Sequence, residues 1–145
     1  MKHFHYDLVP PTFLHCITED CPLQTDCLRQ IAYQHLPSQI DSVHIVNLRK
    51  LASVDKNNCP YFFKVQPVRY AKGFKHVLDS LPHKDVRKLK DELIAYFGHS
   101  KYYRCLRKER FIHPTEQKAM HRIFEDRGFP DTLHFELYID SFVFQ

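Results

Sequence analysis

The sequence predicts an α+β fold, with a small antiparallel sheet and a Cys-rich N-terminal segment packed beside a mainly helical C-terminal region. Three observations carry that expectation. Short β-branched and aromatic runs occupy residues 43–46 and 61–68. From Ala71 onward, apolar residues recur mostly at three- and four-residue spacing, the period of a helix face. Near the end, Leu133, Phe135 and Leu137 alternate with His134, Glu136 and Tyr138, the pattern of a strand with one buried side. A chain of 145 residues fits one domain, 1–145, with a Cys-containing part over 1–70 and a mainly helical part over 71–145 that closes on a strand. Hydrophobic residues at 43% and charged residues at 26% supply a core and exclude disorder. No apolar run approaches the ~20 residues of a membrane span.

Each element follows from local chemistry. Residues 1–22 are expected to be irregular, because Pro10-Pro11 and Pro22 interrupt any helix. Leu23, Cys27, Leu28, Ile31 and His35 share a helical spacing over 24–36, and Pro37 ends it. Residues 43–46 (Val-His-Ile-Val) make a strand candidate, and 55–58 a turn. Residues 61–68 form a second strand, which Pro67 confines to an edge or ends early. Ser80 can cap a helix with Pro82 in its first turn; Val86, Leu89, Leu93 and Tyr96 or Phe97 form its stripe, and Gly98 stops it. A short helical segment covers 100–109. Pro114 opens the next helix, with Met120, Ile123 and Phe124 on one face and Gly128 at its close. The aromatic end, Phe142-Val143-Phe144, is expected to dock on the core.

Charge is concentrated. The net charge is +4, yet residues 84–110 hold nine Lys or Arg against four Asp or Glu, which leaves the rest of the chain slightly acidic. A basic segment of this kind is the electrostatic footprint of a phosphate-binding surface; a solvated helix face is the plainer alternative. On a helical wheel Tyr102, Tyr103 and Leu106 share one side of 100–109, while Lys101, Arg104 and Lys108 share another with Arg107 nearby. The tyrosines would anchor the helix and the cations would face outward.

Five cysteines, an odd number, with no visible secretory signal argue against a disulfide framework and for the cytoplasm. Cys16, Cys21 and Cys27 lie within a short segment, and Cys59 could bring a fourth thiolate. Such a set suits structural zinc, although Cys-x2-Cys pairs are absent. His15 or His3 could replace one thiolate. The Cys-Pro steps at Cys21 and Cys59 make an iron–sulfur cluster the second metal option. Buried thiols acting as small hydrophobes are the alternative. Cys105, beside Arg104 and Arg107, would have a lowered pKa if exposed, but no base is placed to use it.

Leu93-Ile94-Ala95-Tyr96-Phe97-Gly98-His99-Ser100, followed by a basic helix and a proline-opened helix, resembles the helix-turn-helix of phage-repressor-type domains over residues 87–127. That resemblance implies Ser100, Lys101, Arg104, Arg107 and Lys108 as contact residues. The segment departs from the pattern in lacking the later apolar positions of a recognition helix and the glycine that usually ends one. The whole chain is also similar to small Cys-containing proteins of Bacteroides-type bacteria, through its N-terminal cysteines, Tyr102-Tyr103-Arg104 and Pro114-Thr115-Glu116-Gln117.

With three glycines no Gly-rich phosphate loop can form, and no His-Glu-x-x-His or Gly-x-Ser-x-Gly motif occurs. His113 and His121 are too far apart for a zinc pair one helical turn apart, and the adjacent pairs Asp91-Glu92 and Glu125-Asp126 point different ways. Catalysis is not expected. The expected function is a regulatory protein that binds DNA or RNA through the basic helix. The alternatives are a protein-interaction or dimer module displaying Phe142 and Phe144, and an iron–sulfur protein.

Overall fold

The computed structural model describes residues 3–144. Among them, six α-helices and one two-stranded antiparallel sheet make a mixed α/β chain whose helices lie mainly in the C-terminal half, the class that the sequence predicts. The chain divides into two compact units. One holds the residues up to Pro67 and those from Ser141 on; the other is Val68–Asp140.

Regular structure is scarce in the first unit. Its helices are short: α1 (Leu28–Gln34) and α2 (Leu48–Leu51). The start of α1 falls later than the spacing predicts because Cys27 is extended and bridged antiparallel to Lys64. There the Leu28 N–H donates to the Phe63 carbonyl (2.7 Å) and the Val65 N–H to that of Asp26 (3.1 Å). The run 43–46 makes a single parallel bridge, His15 to Ile45, and not a strand. Of that run only Val46 is buried; Ile45 is 43% exposed, so no apolar face holds a longer ladder in place. Two small apolar clusters form, one from Phe13, Leu28, Ala32, Phe142 and Phe144, the other from Cys16, Val46 and Leu51. The aromatic end docks as its composition suggests.

In the sheet, β1 (Pro67–Lys72) pairs with β2 (Leu137–Phe142). Both strands lie further along the chain than predicted. Pro67 opens β1, a position where its missing N–H is tolerated, and the strand runs on through Ala71, where a helical pattern is predicted. Gly73 then turns the chain at φ +75°. Its carbonyl accepts the Glu136 N–H (3.0 Å), and a Cβ there would come within 2.8 Å of the Glu136 carboxylate. Leu133 and Phe135 are buried while His134 and Glu136 are exposed, as the alternation predicts, but its third apolar member, Leu137, is 49% exposed. Because β1 stops at Lys72, residues 133–135 lack a ladder partner, Glu136 keeps only its single bond to Gly73, and β2 begins at an exposed Leu137.

Four helices complete the second unit: α3 (Lys75–Asp79), α4 (His83–Phe97), α5 (His99–Leu106) and α6 (Pro114–Asp126). Ser80 does not cap α4. It ends α3, with its hydroxyl donating to the Val77 carbonyl (2.6 Å), and Pro82 stands at the start of α4. The stripe Leu89, Leu93 and Phe97 is buried, whereas Tyr96 is 47% exposed. With Tyr102, Met120, Phe124, Leu133 and Phe135 it forms one continuous cluster. Each fully buried Leu or Phe there contributes about 1.5–3 kcal/mol by removal from water.

Candidate functional site

The basic segment folds as the end of α4, one connecting residue and α5. Gly98 alone separates the two helices, with φ +82° and ψ 155°, a region that essentially only glycine occupies. The connection is therefore shorter than the three- or four-residue turn of a helix-turn-helix. Its brevity folds α5 directly against α4, which also packs on α6.

α5 is two-sided. Tyr102 and Cys105 are buried, Tyr103 and Leu106 are half-buried against the same core, and Ser100, Lys101 and Arg104 are exposed. Burial pushes the Tyr102 hydroxyl up to about 12 and raises the Cys105 thiol, against the opposing pull of Arg110. Cys105 is thus an inert packed thiol rather than one activated by the neighbouring arginines. Arg110 lies beneath it, with Nη1 3.6 Å from Cys105 Sγ, and forms a two-point pair with Glu116 (2.9 Å for each oxygen) at only 18% and 14% side-chain exposure. Glu116 also accepts the His113 N–H (2.9 Å) and so caps α6. Burial raises the Glu116 carboxyl, but the Arg110 and His113 hydrogen bonds more than reverse this and hold it below the usual range. Burial pushes the His113 imidazole down. This clamp ties the end of α5 to the start of α6.

The five expected contact residues separate into two groups. Ser100, Lys101 and Arg104 face outward from α5, and neither cation has an ion-pair partner among the described residues. Arg107 instead pairs with Glu109 (2.9 Å), and Lys108, beyond the helix at φ +62°, pairs with Glu136. Residues left out of the expected site add to it. Lys84, Arg87 and Lys88 are exposed at i, i+3, i+4 on α4 without ion-pair partners among the described residues, while Lys90 lies over the Tyr103 ring (5.4 Å). The helical spacing of these cations was the signal that could have found them.

The cysteines are only partly gathered. All five are free thiols. Cys16, Cys21 and Cys59 line one small, almost apolar cavity of about 30 Å³ with Thr18, Leu51 and Val54. Cys27 does not line it; it is buried at the start of α1, where its bridge to Lys64 holds it. Cys16 Sγ lies 3.5 Å from the Thr18 hydroxyl and 3.6 Å from Gln30 Nε2. Among the described residues no group of three or more His, Cys, Asp or Glu is placed to hold a metal ion. Of the two alternative histidines, His15 has both ring nitrogens engaged, Nε2 by the Tyr6 hydroxyl (2.8 Å) and Nδ1 at the His44 carbonyl (3.2 Å), and His3 is exposed.

Phe142 and Phe144 are each 7% exposed, so they form no displayed aromatic surface: their rings are consumed by packing on Phe13 and Phe4. No helix among the described residues is long and apolar enough to cross a membrane. No curated protein and no solved structure matches the chain. A family match does extend from end to end of this architecture, over residues 1–144, and by it the chain belongs to a family of unknown function, DUF6078.

Proposed function

We propose that the protein is a cytoplasmic, regulatory nucleic-acid-binding protein that contacts the phosphate backbone through the outward faces of α4 and α5. The observation that carries this reading is the set of cations without ion-pair partners among the described residues: Lys101 and Arg104 on α5, with Lys84, Arg87 and Lys88 on the helix packed against it. Positive charge left unneutralised on rigid helices costs self-repulsion in the free protein, and a polyanion relieves it while releasing its counterions. Ser100 adds a hydroxyl donor at the start of α5. Arg107 and Lys108 contribute less, because Glu109 and Glu136 already hold them. With α5 eight residues long and joined to α4 by a single glycine, the contact is to backbone phosphates rather than base edges, and sequence preference is weak.

Fluorescence anisotropy with labelled duplex DNA, single-stranded DNA and RNA tests the proposal. The double variant Lys101→Glu, Arg104→Glu weakens binding while leaving the unfolding midpoint unchanged. It also flattens the dependence of log K on log salt by about two units on duplex, since each lost phosphate contact removes roughly 0.9. Unchanged affinity, or binding indifferent to salt, refutes the proposal.

A further inference from the structure

A second feature lies in the first unit and concerns Arg29. This residue stands in the first turn of α1, half-buried, with its guanidinium carbon 5.1 Å from the Phe13 ring centre and 5.3 Å from that of Phe63. Nε donates to the Tyr61 carbonyl (2.9 Å) and Nη1 to the Leu14 carbonyl (3.0 Å). These two bonds fix the head group in place but do not neutralise it. No carboxylate forms an ion pair with Arg29 among the described residues. A guanidinium has five N–H donors, so three are left after the two carbonyls, both hydrogens of Nη2 among them. The charge is felt nearby. The buried His15 is held below the ordinary imidazole range first by desolvation, and Arg29 adds to that lowering.

Arg29 lines an open cleft of about 310 Å³ whose other walls include Thr12, Phe13, Phe63 and Phe144. A cleft of that size matches the lower end of small-molecule sites, which combine apolar walls with a few convergent polar groups. Buried or half-buried charges are ordinarily paired, and arginine is the residue suited to planar oxyanions. Here a fixed cation with no ion-pair partner among the described residues lies over two phenylalanine rings, in a cleft that Phe144 and Thr12 also line.

We propose that this cleft binds a small oxyanion carried on a flat apolar body, the anionic group meeting Arg29 Nη2 and the Thr12 hydroxyl and the body lying on Phe63, the half-buried ring of a wall that the buried Phe13 and Phe144 complete. The site is independent of the basic faces of α4 and α5. Its ligand class, a carboxylate or a phosphate monoester, depends on which anion fits the remaining donors.

Two-dimensional NMR titration of the whole protein decides the matter, with benzoate and phenyl phosphate as the two anion probes and benzylamine as a cation of matching shape. The expected result is saturable shifts at the Arg29 Nε–H and at the amides of Thr12, Phe13 and Phe63 with at least one anion, and none with benzylamine. The stronger anion identifies the ligand class. Arg29→Gln weakens binding about tenfold or more, as loss of a hydrogen bond to a charged group does, and Thr12→Val weakens it less. Absence of saturable shifts with both anions overturns the proposal. So does equal binding of benzylamine by the unaltered protein, a comparison that holds even where Arg29→Gln disturbs the fold. Undiminished affinity in a folded Arg29→Gln protein overturns it as well.

Discussion

The two units reach order by different means. Residues 68–140 bury one continuous cluster between regular helices, whose backbone groups are satisfied within each helix. The first unit has two small clusters and short helices, and long-range side-chain-to-backbone bonds supplement its isolated bridges. Arg29 bonds the Tyr61 and Leu14 carbonyls, Gln30 the Thr18 carbonyl (2.6 Å), and His15 the His44 carbonyl. Irregular backbone can be buried only if such partners exist. The comparison teaches that polar side chains inside the first unit carry architecture that helices carry in the second. The same arrangement leaves one of them, Arg29, with charge to spare.

Breaking the larger cluster gives the largest effect. Phe124→Ala costs about 3–5 kcal/mol in denaturant unfolding, whereas Phe144→Ala, in a small cluster that can collapse onto the vacancy, costs roughly 2–3 kcal/mol. Hydrogen exchange sharpens the contrast, since the second change speeds exchange in the first unit only. Next comes the connection between α4 and α5. Nothing lies within 4 Å of a Cβ at Gly98, so Gly98→Ala acts through backbone strain alone and costs about 1–3 kcal/mol by the same measurement.

Acid separates the units more finely. Glu116 has a folded pKa below its unfolded one, so its stabilisation is present above the unfolded value, near 4.3, and is lost as pH falls through the folded value. Glu116→Gln destabilises by about 1–2 kcal/mol at neutral pH and flattens the acid limb of the second unit's stability profile. His15 and His113 also have depressed values. Each contributes stability above its unfolded value, near 6.5, that is lost as pH falls through the folded one. Amide protection factors therefore fall below pH 6.5 in both units, through His15 in the first and His113 in the second, before any Glu116 effect is seen in the second. The smallest effect is at the surface: Arg107→Ala removes an exposed pair and leaves the unfolding midpoint unchanged in a thermal melt.

Much of the second unit was legible beforehand. Leu89 and Leu93 mark the buried face of α4, Gly98 ends that helix, Pro114 opens α6, and Tyr102 lies on the buried side of α5, all as their spacing implies. These are local signals, because a helix closes its hydrogen bonds within a few residues. Strand positions were missed for the opposite reason. The alternation at 133–137 correctly marks Leu133 and Phe135 as buried, yet where a ladder begins depends on its partner, and β1 ends at Lys72. The candidate site divides the same way. Exposure of Lys101 and Arg104 follows from the helical wheel, while the capture of Lys108 by Glu136 joins positions far apart in the chain.

Composition and spacing by themselves determined the fold class, the helical second half, the amphipathic α5 and the clustering of positive charge, since each rests on chemistry between near neighbours. Tertiary structure alone decided which cations stay unpaired, that Cys27 stands apart from the cavity shared by Cys16, Cys21 and Cys59, and that Arg29 faces aromatic rings rather than a carboxylate. Those outcomes depend on which distant segments meet. A side chain's charge is written in its formula, but what neutralises that charge is set by the folding of the whole chain around it.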